Sequence, residues 1–168
     1  MPKLIENLPL RLAEEARKQT LESGYSALTI RSVAAACGVG TGTVYNYYPS
    51  KDTLVATFLL EDWTDRIHAI TACAGQSADR TSLLRFVHET LRDFLLQYES
   101  VFRDEGAASA FAGSFSRYHA LLRGQLSTPI RPFCSSDFAA DFITEAMLTW
   151  TVNGTSFETL NEILKNIR

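Results

Sequence analysis

Residues 38–50, GVGTGTVYNYYPS, bring hydroxyl, amide and aromatic side chains together without an acidic group. Hydroxyl and amide groups donate hydrogen bonds to phosphate oxygens, and threonine methyl groups and asparagine amides also contact base edges. Three interpretations of this stretch are open: a short helix whose outer side binds a partner, a loop that binds a nucleotide phosphate, and ordinary packing.

The elements around this stretch favour the first interpretation. The pattern predicts a helix over residues 30–37, a turn at Gly38-Val39-Gly40, and a second short helix over residues 41–48. This is helix-turn-helix geometry, in which the first helix braces the second. Val44 and Tyr48 lie four residues apart and suffice for packing, so the remaining polar side chains face outward.

A nucleotide-binding loop fits poorly. GVGTG follows a helix rather than a strand, and Gly-Lys-Ser/Thr is missing at the required spacing. The outer side of the second helix and two flanking cations are therefore the predicted DNA contacts. They are Arg31, Thr41, Gly42, Thr43, Tyr45, Asn46, Tyr47 and Lys51.

The whole chain of 168 residues predicts an all-α fold with about nine helices. Besides the two short helices, the pattern predicts helices over residues 8–23, from 51 to 63 or 73, 82–98, 107–126, 136–152 and 156–167. Residues 127–132, STPIRP, are predicted to break the chain between two helices. Extended alternation of the kind that indicates strands is missing from the sequence.

Residues 8–60 resemble the DNA-binding head of the TetR (tetracycline-repressor) family of bacterial transcription regulators. The matching run is SGYSALTIRSVAAACGVGTGTVYNYYPSKDTLVATF, residues 23–58. The resemblance implies DNA-contacting positions at Arg31, Thr41, Thr43, Tyr45, Tyr47 and Lys51. It also implies a dimer in which a small molecule, bound in the C-terminal body, moves the two heads apart.

The predicted boundary divides a head, residues 1–51, from a ligand-binding and dimerisation body, residues 52–168. Six basic and four acidic residues give the head a net charge of +2, whereas ten basic and fifteen acidic residues give the body −5. A mildly basic head on an acidic body is compatible with DNA binding at the head.

Aromatic residues recur through the body at helical spacing, and the resemblance requires some of them to line a cavity. Rings and polar tips make Tyr98, Phe115, His119 and Trp150 the candidates for binding an apolar or aromatic effector.

The last two helices are apolar over a wide arc, which indicates self-association into a four-helix interface. The predicted interface residues are Phe138, Phe142, Ala146, Trp150, Phe157, Leu160 and Leu164.

Other classes receive less support from the sequence. The three cysteines are widely spaced, which predicts a reducing, cytoplasmic setting, and no apolar run approaches the roughly 20 residues that cross a bilayer. Spacing supports neither a metal site nor a catalytic constellation, and we expect no cofactor. Two alternatives stay open: a small-molecule binding protein or enzyme whose head is purely structural, and a protein–protein adaptor that uses the apolar C-terminal helices.

Overall fold

The computed structural model describes residues 7–77 and 79–167, apart from the side chain of Phe115. Within those ranges it contains ten α-helices and no strand, which confirms the all-α prediction. The helices are α1 Leu8–Ser23, α2 Ile30–Cys37, α3 Thr41–Tyr45, α4 Lys51–Gln76, α5 Arg80–Gln97, α6 Glu99–Phe102, α7 Glu105–Phe111, α8 Phe115–Ile130, α9 Asp137–Val152 and α10 Phe157–Leu164. Two 3₁₀ turns, Ala112–Ser114 and Arg131–Phe133, follow α7 and α8.

The chain divides into two compact units that are not consecutive in sequence. The first comprises the residues up to Asp62 together with Tyr98–Ala112, and the second comprises Trp63–Gln97 and the residues from Gly113 onward. The chain therefore passes between the units at three peptide bonds: 62–63, 97–98 and 112–113. The functional boundary at residue 51 stays a prediction, because compactness does not test function.

The first unit is built around α1, which packs against α2 and α6, while α2 packs against α3 and α6 against α7. Its core includes Leu12, Ala13, Ala16, Val33 and Val44. These apolar residues recur at helical spacing, as expected for helices with one buried side.

The second unit is a bundle in which α9 packs against α5, α8 and α10. The Trp63 and Phe94 rings meet edge to face with centroids 5.5 Å apart, and the Trp63 indole Nε1–H donates to Gln125 Oε1 at 2.8 Å. Ile143 and Met147 on α9 are fully buried. Burial of such side chains contributes about 1.5–3 kcal/mol each.

Polar caps fix the starts of several helices where the sequence predicted them. Ser136 Oγ accepts a hydrogen bond from the Ala139 N–H at 3.1 Å, and Ser156 Oγ accepts from the Thr159 N–H at 3.2 Å. Each such cap satisfies a backbone donor that the first turn leaves unpaired. α5 begins at Arg80 rather than at the predicted residue 82, and Asp79 Oδ1 accepts a hydrogen bond from the Ser82 N–H at 2.9 Å.

The region 105–133 differs from the prediction. The expected single helix over residues 107–126 is divided into α7 and α8 by the 3₁₀ turn at Gly113, a weak helix former. The predicted break at residues 127–132 is wrong, since α8 continues to Ile130 through Pro129. Leu126, Ser127 and Ile130 are buried there, and Ser127 Oγ donates to Asp141 Oδ1 at 2.8 Å. This burial outweighs the one backbone hydrogen bond that Pro129 removes.

None of the helices in the described ranges is both long enough and apolar enough to span a bilayer.

Candidate nucleic-acid interface

The brace for the candidate interface is α2, whose two ends are fixed by its sequence. Thr29 and Ser32 form a capping box, in which Thr29 Oγ1 accepts from the Ser32 N–H at 3.0 Å. At the other end Gly38 adopts φ +70°, a left-handed conformation that glycine reaches without steric cost. The chain therefore leaves α2 in the direction that starts α3 three residues later.

Two side chains anchor α3 to the first unit. Val44 is fully buried, and Tyr48 is 7% exposed, with its hydroxyl donating to the Pro9 carbonyl oxygen at 2.9 Å. Both inward assignments made from the sequence are confirmed. Because α3 has only five residues, these anchors fix its rotation and so decide which side chains face outward.

The opposite side of α3 and the turn after it form what we call the recognition face. Thr41, Gly42, Tyr45, Asn46 and Tyr47 are exposed, while Thr43 is half-buried. The rings of Tyr45 and Tyr47 retain 52% and 48% exposure, which is high for tyrosines next to a core residue. Residues 38–50 include no charged side chain, so no carboxylate of this stretch would repel a phosphate.

The recognition face is shorter as a helix than predicted. α3 ends at Tyr45, and the Tyr47 N–H donates to the Val44 carbonyl at 3.0 Å in a tightened last turn. Pro49 disfavours helical backbone at Tyr48, so α3 could not have continued through that residue. Asn46 and Tyr47 thus lie on a turn beside α3.

Arg31 and Lys51 flank the recognition face in the sequence but differ in environment. Arg31, in the first turn of α2, is exposed. Lys51, the first residue of α4, is half-buried, and its Nζ donates to the Tyr25 carbonyl oxygen at 3.1 Å. The same ammonium lies 3.8 Å from the centroid of the Tyr25 ring, a cation–π contact. The structure therefore gives Lys51 a fixed position that its sequence context did not predict.

Tyr25 connects Lys51 to two carboxylates. Its buried hydroxyl donates to Asp52, and burial, followed by that hydrogen bond and the nearby carboxylate charges, raises the pKa of Tyr25. Its neighbour Ser26 donates to Asp104. That hydrogen bond and a second one, from the Ala107 N–H at 2.9 Å, lower the pKa of Asp104. The positive charge of Lys51 lowers this pKa further. Asp104 lies 78 residues from Ser26, so no local sequence signal could have found the pair.

The predicted ligand-binding residues fall in both units. Tyr98 is fully buried in the first unit, with its ring centroid 6.0 Å from that of Phe58. His119 and Trp150 belong to the second unit, where His119 Nε2 lies 3.3 Å from Glu145 Oε1 and Trp150 is 52% exposed. Phe115 begins α8, and its side chain lies outside the described residues. The role of each of these four residues in effector binding stays a prediction.

The predicted dimer residues divide into two groups. Phe138, Phe142, Ala146 and Trp150 follow each other at four-residue intervals on α9, and we call them the α9 stripe. Phe138 is 79% exposed and Phe142 48%, while Ala146 is half-buried.

The other three predicted interface residues, Phe157, Leu160 and Leu164, are at most 4% exposed. They lie on the side of α10 that packs inside its own chain, where the Phe157 ring meets the His88 ring at 5.8 Å. These three side chains are thus covered by their own chain, and their part in the interface stays a prediction.

Known proteins match this chain in two ways: in sequence over its N-terminal part, and in fold over almost its whole length. Residues 12–57 match the family model of bacterial regulatory proteins of the tetR family. Helix-turn-helix-type transcriptional regulators of Mycobacterium bovis and Mycobacterium tuberculosis are 30% identical over 60 residues, which is 36% of this chain. The match spans only 26% of the length of these curated relatives.

Solved structures share the fold over almost the whole chain. A transcriptional regulator from Cytophaga hutchinsonii superposes with a TM-score of 0.63 at 19% identity, covering 93% of this chain and 90% of its own. GusR of Salmonella enterica gives 0.59 at 18% identity and 98% coverage of both chains. A possible TetR family regulator from Streptomyces coelicolor gives 0.60 at 22% identity, over 86% of this chain and 68% of its own.

The family model covers the helices that present the recognition face, and the solved structures extend the same fold through the second unit. Residues 12–57 therefore form a domain of the tetR family of bacterial regulatory proteins.

Proposed function

We propose that the protein is a ligand-responsive transcription regulator that represses its target genes by binding a double-stranded DNA operator. The recognition face carries this proposal: exposed hydroxyls, an amide and two rings, held by Val44 and Tyr48 and free of carboxylates. Such a surface suits a major groove, where threonine methyl groups, asparagine amides and phosphate-donating hydroxyls all find partners.

The regulator acts as a homodimer through the α9 stripe. An exposed row of aromatic side chains is costly in water, and a second copy that offers the same row would bury both. Two copies are also what operator binding requires, since paired recognition helices contact half-sites about 34–36 Å apart.

A small-molecule effector controls the affinity for the operator. An effector that binds one arrangement of the dimer more tightly shifts the population toward it, and operator affinity falls by the ratio of the two affinities. Tyr98, Phe115, His119 and Trp150 remain the candidate effector contacts. The regulator works in the cytoplasm and needs neither a catalytic residue nor a cofactor.

The test is selection of duplexes from a random DNA pool, followed by titration of the selected duplex at several salt concentrations. We expect enrichment of a two-fold symmetric sequence and a binding constant that falls as salt rises. A thermal-shift screen of small molecules against the same protein then identifies effectors, which should release the duplex. A pool that stays unenriched after repeated rounds would contradict the proposal.

A further inference from the structure

The segment Tyr98–Ala112, which holds α6 and α7, lies in the first compact unit although 35 residues of the second unit precede it. We call it the α6–α7 segment. Ser100 Oγ donates to the Thr20 carbonyl oxygen at 3.5 Å, and the Tyr98 ring packs on Phe58. The segment is therefore built into the same unit as the recognition face.

The α6–α7 segment also contacts the turn between α1 and α2. Ser26 donates to Asp104, and the Phe111 ring lies 6.4 Å from the Tyr25 ring, centroid to centroid. A Cβ on Gly106 would lie 3.0 Å from Asp104 Oδ1 and 3.7 Å from Tyr25 Cε1. The first turn of α7 thus encloses Tyr25 closely.

Tyr25 in turn determines where Lys51 lies. Its carbonyl accepts a hydrogen bond from the ammonium, its ring lies under the same ammonium, and its hydroxyl is held by Asp52, the next residue after Lys51. The hydrogen bonds from Ser26 and the Ala107 N–H lower the pKa of Asp104, and the charge of Lys51 makes a smaller contribution in the same direction. A displacement of Tyr25 would therefore move the ammonium.

We propose that the α6–α7 segment is a working part of the DNA-binding head, in which Tyr25 and Asp104 act as positioning residues for Lys51. This inference rests on the proposed DNA binding and adds a route of regulation. The segment is joined to the second unit by peptide bonds at both ends, 97–98 and 112–113, in addition to the connection through α4. A rearrangement of α5 or α8 would reach Lys51 through Asp104 and Tyr25.

Ser26→Ala is the main test variant because it removes the hydrogen bond and leaves the carboxylate of Asp104 in place. Ser26 is exposed, so the variant should keep its fold. Asp104→Ala removes both hydrogen bonds, whereas Asp104→Asn keeps an oxygen for the Ala107 N–H and offers an amide N–H that can donate to Ser26 Oγ, so it should rescue the position of Lys51.

The second unit supplies matched controls. Ser82 Oγ donates to Asp79 Oδ2 at 2.9 Å, and Asp79 accepts the Ser82 N–H at the start of α5. Ser82→Ala and Asp79→Ala thus delete an equivalent serine–aspartate pair and an equivalent helix cap away from Lys51.

The first readout is the acetylation rate of Lys51 in the full chain without DNA, measured by peptide mass spectrometry. We expect faster acetylation in Ser26→Ala and Asp104→Ala, a rate near wild type in Asp104→Asn, and no change in the controls. Equal rates in Ser26→Ala and wild type would overturn the positioning role.

The second readout is affinity for the selected duplex as a function of salt. Ser26→Ala should weaken binding about two- to tenfold, the range of one net hydrogen bond, and reduce the log–log salt slope by about 0.9, one phosphate contact. If wild type binds the duplex and Ser26→Ala shows the same affinity and the same salt slope, the positioning role is contradicted while the proposed function stands. If wild type binds no duplex, the proposed function fails, and the acetylation rates still decide whether the α6–α7 segment positions Lys51.

Discussion

The recognition face and the α9 stripe are both exposed sides of helices whose other sides are buried, yet they suit different partners. Around α3 the outward residues are threonines, an asparagine and two tyrosines, whereas the α9 stripe consists mainly of aromatic rings. Hydroxyls and amides match the acceptors of a duplex, and rings match another apolar surface. The partner is therefore set by the residues that packing does not use.

The comparison also shows where each surface obtains its rigidity. The recognition face rests on a five-residue helix fixed by Val44 and by the Tyr48 hydrogen bond to Pro9, while α9 is a sixteen-residue helix with a continuous buried side. We expect the first surface to be sensitive to single changes in its support, and the second to changes on its exposed side.

The largest effect is expected from Phe142→Glu. In a dimer the change removes two buried rings at about 1.5–3 kcal/mol each and adds two carboxylates, so the dimer constant should fall more than about 100-fold. Sedimentation velocity measures the change. Leu96→Glu, at a residue of α5 that is 59% exposed, is the control and should stay dimeric. If the Phe142→Glu variant stays dimeric, the α9 stripe does not form the dimer interface.

Tyr45→Ala should weaken binding to the selected duplex about tenfold, since one base contact contributes about 1–3 kcal/mol. Stability should change by less than about 0.5 kcal/mol, because the ring is half exposed. Anisotropy titration and thermal unfolding measure the two quantities, with Leu96→Ala as the control. Full affinity in Tyr45→Ala would remove this ring from the recognition face.

Arg31→Ala tests the flank of the same face. An exposed guanidinium that contacts phosphate contributes to all sequences, so affinity should fall for the selected and for unrelated duplexes, and the salt slope should fall by about 0.9. Arg92→Ala, at an exposed position on α5, should leave the slope unchanged. Loss of affinity for the selected duplex alone would assign Arg31 to a base instead.

Gly38→Ala tests the support of the recognition face through stability, with Gly75→Ala in α4 as its control. Neither added Cβ meets an atom within 4 Å, but Gly38 has φ +70° and Gly75 lies inside α4. The first change should cost about 1–2 kcal/mol and the second should stabilise by about 1 kcal/mol. Thermal unfolding measures both, and two shifts of the same sign would contradict the assigned backbone conformations.

The smallest effect concerns pH. The hydrogen bonds from Ser26 and Ala107 lower the pKa of Asp104 in the folded chain, so its stabilisation is present above the unfolded pKa near 3.8 and is lost as pH falls through the folded value. The stability difference between wild type and Ser26→Ala should therefore be constant from pH 8 to 6 and shrink below about pH 4. Urea unfolding at each pH measures it. If the stability difference between wild type and Ser26→Ala grew as the pH fell, the hydrogen bond would not be lowering the pKa of Asp104.

Much of the head could be predicted from sequence because its determinants are local. Thr29 caps α2, Gly38 ends it, and Val44 and Tyr48 mark the inner side of α3 within a few residues of each other. What could not be predicted depends on distant partners. Asp104 reaches Ser26 from 78 residues away, and α8 continues past Pro129 where Leu126, Ser127 and Ile130 are buried. α10 shows the same limit, since an amphipathic pattern does not tell which chain covers Phe157.

Site-specific photo-crosslinking compares the two surfaces in one experiment. Benzoylphenylalanine at position 47, in place of an exposed tyrosine, should cross-link the selected duplex, and at position 138, in place of an exposed phenylalanine, it should cross-link a second copy of the chain. DNA cross-linking from position 138, or none from position 47 while the duplex is bound, would contradict the assignment of the recognition face to DNA.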